Sequence, residues 1–155
     1  MSKYSLSRRI NKWLGRHKPA LKTGVRKDVV EIAVADQVQL TVYWKVLPHG
    51  RGPAMILDTP WVELAKFDCF GPGLGHFHYQ PDYERQYAFS SRSSKEQIEE
   101  AGQLLLKRFE EFLAANRFAV RQDVRQLKEK LPGAIEEAQL VMSHYLDSIP
   151  DLRNI

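Results

Sequence analysis

From Val29 on, the hydrophobic period of this chain changes once, from two to about three and a half, and that change limits the fold class. Val30, Ile32 and Val34 alternate with other residues. Val38, Leu40, Val42, Trp44 and Val46 then alternate with Gln39, Thr41 and Lys45. After Ser93 the spacing turns helical, with Ile98, Ala101, Leu105, Phe109 and Phe112 on one face. Period-two segments joined by short loops pair antiparallel, because parallel neighbours need long crossovers. Strands followed by helices make α+β architecture. We therefore expect one α+β domain over 28–155, with an antiparallel β-meander of about five strands, a long covering helix and two C-terminal helices.

Local signals place the boundaries. Asp36 and Gln37 mark a turn, and Pro48, Gly50, Gly52 and Pro53 make 48–53 a loop. Residues 54–57 and 62–70 read as one bent strand or two, divided at Asp58, Thr59 and Pro60. Strands at 76–80 and 85–89 follow, with Pro81 and Asp82 as the turn between them. Ser93 with Glu96 three residues on forms a capping box for a helix to about Ala115. Val120, Val124, Leu127 and Leu131 predict a second helix, which Pro132 and Gly133 end. Ile135, Ala138, Met142, Tyr145 and Ile149 predict a third, stopping at Pro150.

Charge is unevenly spread. The first 27 residues hold nine Lys/Arg and no acid, and the other 128 hold 14 basic against 19 acidic side chains, so a net charge of +4 hides a basic arm on an acidic body. Within that arm, Leu6, Ile10, Trp13 and Leu14 predict a short amphipathic helix over 5–14, with Arg8, Arg9, Lys12 and Arg16 mostly off the apolar stripe. Those four residues are the candidate contacts to RNA or another polyanion, where each neutralised phosphate releases counterions. The bland alternative is an arm folded back onto the chain's own acidic surface. A protein partner, or a homodimer through the broad helical stripes, is the other expected association. Cys69 is the only cysteine, which excludes an internal disulfide, and no apolar run approaches the ~18 residues of a transmembrane segment. A cytoplasmic location is expected.

Chemistry concentrates in mid-chain. Asp68 and Phe70 precede a glycine-rich turn at 71–75, and His76 and His78 follow it. A hairpin closed by that turn sets Phe70 opposite His76 and Asp68 opposite His78, all on one face because strand side chains alternate. Phe67, Cys69, Phe77 and Tyr79 then form the core face, leaving Leu64, Lys66 and Gln80 beside the histidines. Three readings stay open. A His-x-His pair with a carboxylate could ligate a divalent metal at Asp68, His76 and His78. Alternatively, one neutral and one protonated histidine could cleave RNA without metal, with Lys66 or Arg85 stabilising the phosphorane. Otherwise the histidines are polar residues of a solvated sheet face. The catalytic candidates are His76, His78 and Asp68, with no cofactor and no metal expected.

The run Phe67, Asp68 and Gly75 through Tyr79 resembles the acidic-strand, Gly-turn, His-x-His core of small prokaryotic proteins, some of them toxins of toxin–antitoxin pairs. The resemblance covers about residues 64–89 and singles out Asp68, His76 and His78 as the matching positions. The toxin-type pattern carries a histidine just before the glycine, where this chain has Leu74. Elsewhere, His49 and His144 read as surface residues, and Cys69 as a buried small hydrophobe. Tyr83, Tyr87 and Phe89 read as packing aromatics or stacking platforms for bases.

Overall fold

The computed structural model describes residues 25–115 and 124–148. They form a six-stranded antiparallel sheet whose spatial order is its chain order: β1 (Val25–Ala35), β2 (Val38–Leu47), β3 (Gly50–Asp58), β4 (Glu63–Asp68), β5 (His76–Tyr79) and β6 (Tyr87–Ala88). Two helices follow, α1 (Ser94–Ala114) and α2 (Val124–Ser148). Helix α2 lies over β1, β2 and β3 and against α1, while α1 touches β4. The antiparallel meander is as the periodicity predicts, but the cover expected of the first long helix comes mostly from α2. The expected N-terminal helix, with Arg8, Arg9, Lys12 and Arg16, lies outside the described residues, as do 120–123 and Ile149.

One sheet face is apolar and filled by the helices. Leu40, Val42, Trp44, Met55, Leu57 and Phe67 meet Ile98, Leu105, Phe112, Leu127, Ile135 and Met142 in one buried cluster. Each such side chain contributes about 1.5–3 kcal/mol on leaving water, which fixes the layer arrangement. At the start of α1, Ser93 accepts the Glu96 N–H, and the Glu96 carboxylate returns to the Ser93 N–H. The predicted capping box is therefore present.

Several boundaries differ. The second and third expected helices are one, since α2 runs unbroken through Pro132. Leu127, Leu131, Ile135, Ala138 and Met142 form a stripe that keeps its spacing across the proline, and all are buried. Burying that stripe offsets the roughly 3 kcal/mol an interior proline costs. Pro132, Gly133 and Lys128 face outward, so the carbonyl that loses its helical donor lies on the solvent side.

The sheet has six strands because 54–58 and 63–68 are separate strands. The turn between them is closed by Thr59, whose hydroxyl donates to the Val62 carbonyl at 2.9 Å and accepts the Val62 N–H at 3.0 Å. Strand β1 begins three residues before the expected domain boundary, with Val25, Arg26 and Lys27 paired to Val46, Lys45 and Trp44. Strand β3 extends into the expected loop, so only Pro48 and His49 remain as a turn between Leu47 and its partner Gly50. At Gly52 a Cβ would come within 2.8 Å of the Cys69 carbonyl oxygen, so glycine lets the segment after β4 lie close on β3. There the Cys69 N–H donates to the Pro53 carbonyl at 2.9 Å.

A candidate acid–base site on the second sheet face

The alternation that sends Phe67 and Phe77 into the core sends Asp68, His76 and His78 to the opposite face. The expected pairing is shifted by two residues: Asp68 stands opposite His76, and Lys66 opposite His78. Two residues is a full strand repeat, so face membership survives although each partner changes. The shift arises because Cys69 and Phe70 leave the ladder. Cys69 bonds back to β3, and the wide turn from Gly71 to Gly75 closes on itself, with the Leu74 and Gly75 N–H groups donating to the Gly71 carbonyl.

A second irregularity moves Leu64. The pairing jumps from Leu57–Ala65 to Asp58–Glu63, a bulge that places Leu64 in the apolar cluster rather than beside the histidines. Glu63 instead accepts a 2.7 Å hydrogen bond from the Tyr83 hydroxyl.

The polar face is not a solvated one. Asp68, Lys66, Lys45, His78, Thr41, Asp58 and Glu63 are all buried, and His76 keeps 18% of its side chain exposed. Asp68 is the hub. Its Oδ2 accepts from Lys45 Nζ at 3.0 Å, with His76 Nε2 at 3.3 Å and Lys66 Nζ at 3.9 Å, while Oδ1 accepts no hydrogen bond among the described residues. Burial alone would raise this carboxyl, but the His76 hydrogen bond and the two lysine charges outweigh it and hold it at about 2.

The two imidazoles are held differently. His78 points Nδ1 at the Tyr83 carbonyl at 2.9 Å, which fixes the hydrogen on Nδ1 and leaves Nε2 with a lone pair. Burial, then the charges of Lys66 and His76, pull this ring down to about 4, so it is neutral at pH 7. His76 Nδ1 faces the Leu74 carbonyl at 2.9 Å while its Nε2 faces the Asp68 carboxylate. Both neighbours are acceptors, and the ring satisfies both only with a hydrogen on each nitrogen. The rings stand edge to face, with centroids 5.0 Å apart. Phe70 closes one side, edge-on to His76 and 5.7 Å from Lys45 Nζ.

Asp68, His76 and His78 each offer one ligand atom, all within 4.8 Å of one another, so they are the residues that could hold a divalent ion. The donor set fits such an ion poorly, because Lys45 already donates to the carboxylate and Lys66 lies close by, and both ammonium groups repel a cation.

Sequence reasoning missed Lys45. It is 23 residues from Asp68, and its place follows only from the register of three successive strands. The available signal was a lysine on the non-core side of the clearest strand. Glu63 and the carbonyl of Tyr83 were also missed. Arg85, expected as a stabilising cation, instead lies 5.0 Å over the Tyr87 ring. Tyr87 stacks on Phe77 and Tyr79, and Phe89 is buried in the apolar cluster. His49 and His144 are exposed, and Cys69 is buried with its thiol pushed up by desolvation. Among the described helices none is long and apolar enough to cross a membrane. No protein-family model matches this chain, and no match was found among curated proteins or solved structures.

Proposed function

We propose that Asp68, His76 and His78 form an acid–base site that cleaves phosphodiester bonds of RNA. The observation that carries this reading is the unlike treatment of two adjacent imidazoles. One is kept neutral by burial and the nearby positive charges, with its hydrogen held on Nδ1 by a carbonyl; the other is clasped between a carbonyl and an ionised carboxylate. Neighbouring titratable groups held in unlike surroundings are the mark of an acid and a base in one site.

In this mechanism His78 Nε2 takes the proton of a ribose 2′-hydroxyl as its oxygen attacks the adjacent phosphorus. His76 Nδ1 then gives the departing 5′-oxygen the proton it otherwise shares with the Leu74 carbonyl, while Nε2 stays on Asp68, leaving a 2′,3′-cyclic phosphate and a free 5′-hydroxyl. Lys45 and Lys66 stabilise the charge on the phosphorane, and Asp68 orients His76 and anchors Lys45. The basic residues Arg8, Arg9, Lys12 and Arg16 supply electrostatic capture of the strand.

A labelled single-stranded oligoribonucleotide tests this, beside its all-deoxy counterpart. Cleavage of the first only, surviving a chelator and lost in His78→Ala, is the expected result. Undiminished activity in the His76→Ala/His78→Ala double variant overturns it, and loss of activity on chelation transfers the site to the metal reading.

A second reading, a protein-interaction module, is favoured by the opposite side of the molecule. There Val29 and Leu140, 51% and 69% exposed, line a cleft between β1 and α2. Reversible association weakened by Leu140→Glu, in a chain without nuclease activity, supports that reading instead.

A further inference from the structure

We infer that Gln97, on helix α1 and bonded to the turn before His76 rather than to either imidazole, is the positioning residue for His76. One buried amide holds four backbone groups. Gln97 Oε1 accepts the Gly71 N–H at 2.9 Å, and Nε2 donates to the carbonyls of Gly71 at 3.1 Å and of Ser91 and Arg92 at 3.2 Å. An amide has one acceptor and one donor group to offer, and here both are engaged at a site where Gln97 is only 2% exposed. A buried polar side chain so fully used holds its neighbours in one arrangement.

What it holds is the start of the turn that carries His76. Gly71 sits at φ +86°, a conformation that glycine adopts without strain. Its carbonyl, gripped by Gln97, also accepts the N–H groups of Leu74 at 3.3 Å and Gly75 at 3.0 Å, so the whole turn closes on that atom. The Leu74 carbonyl at the far end of the turn then receives His76 Nδ1. The contact is close: a Cβ at Gly75 would lie 2.1 Å from Gln97 Oε1. Rigid helix, amide, turn and imidazole thus form one continuous chain of contacts ending 3.3 Å from Asp68. His78 hangs instead from the Tyr83 carbonyl, which Gln97 does not touch.

This asymmetry separates positioning from mere structural support. The role in catalysis rests on the acid–base reading above, but the geometry is measurable without any substrate. The experiment compares ¹⁵N NMR of both imidazoles across pH in the full-length chain and its Gln97→Met and Gln97→Glu variants. Cleavage of the oligoribonucleotide is followed alongside. Gln97→Met removes all four hydrogen bonds at similar length, and Gln97→Glu keeps the acceptor for the Gly71 N–H.

The expected result is a displaced Nδ1 signal for His76 in Gln97→Met, a smaller displacement in Gln97→Glu, and a lesser change for His78, whose ring lies against His76. Cleavage should fall on the order of tenfold to a hundredfold in kcat with KM kept. Unchanged His76 signals in both folded variants overturn the proposal, as do equal changes at His76 and His78. If Gln97→Met does not fold, Gln97→Glu decides by the same criterion. If the parent shows no cleavage, the acid–base reading fails while the NMR comparison still judges Gln97.

Discussion

The two faces of this sheet are both buried, yet they are buried by different physics. Toward the helices, alternate residues of β2, β3 and β4 present Leu40, Val42, Met55, Leu57 and Phe67, whose contribution grows with area and has no direction. On the other side the same strands present Thr41, Lys45, Lys66 and Asp68, whose burial is tolerable only while each charge keeps its partner. The first face would survive small slips of packing. The second depends on distances of about 3 Å between groups on different strands, and so records the register of the whole meander. A fold that buries a charged cluster this completely is poorly explained by stability alone, since a buried ion pair is often no better than an apolar pair of the same size. That contrast is the physical reason to look for function there.

Substitutions can break or sharpen this comparison. The largest effect expected is on the polar face and on activity. Removing either imidazole should cost about 10²–10⁴ in cleavage rate, read on the oligoribonucleotide, with little change in fold.

Next comes stability. Asp68→Asn keeps shape but strips the charge that Lys45 donates to, and should cost about 3–5 kcal/mol in a denaturant titration. Leu105→Met, an isosteric change on the apolar face, should cost under about 1.5 kcal/mol. Equal costs would erase the distinction between the faces.

The pH dependence comes third. His78 is held at about 4, below its ordinary 6.5, so the unfolded chain binds a proton that the folded chain refuses between those values. Asp68, held at about 2 against 3.8, binds its proton more readily in the unfolded chain as well. Stability should therefore be fully present above pH 6.5. It falls as pH drops toward 4, and falls again as it drops through 3.8 toward 2. His78→Phe should flatten the upper limb only. The smallest effect lies outside both faces: Ser93→Ala removes the cap of α1 and should cost about 1 kcal/mol.

Much of this was legible in the residues, for reasons that differ from place to place. Face membership of Phe67, Asp68, Phe77 and His78 follows from strand alternation, and a two-residue error in pairing leaves it intact. Leu64 was misplaced because a bulge opposite Asp58 reverses the alternation, and a bulge leaves no local mark in composition. Glycines and prolines at 48–53 suggested a loop, but cross-strand pairing with β2 holds most of that stretch in β3. Pro132 suggested a break, and tertiary burial of the stripe around it prevailed. Lys45 and Gln97 stayed hidden because their partners lie 23 and 26 residues away, at distances only the assembled sheet and helix define.

The most direct test of the acid–base account is an NMR pH titration that resolves the imidazoles of His76 and His78. The account predicts that His78 keeps a neutral ring with its hydrogen on Nδ1 down to about pH 4. A His78 ring titrating near the ordinary 6.5 would contradict it.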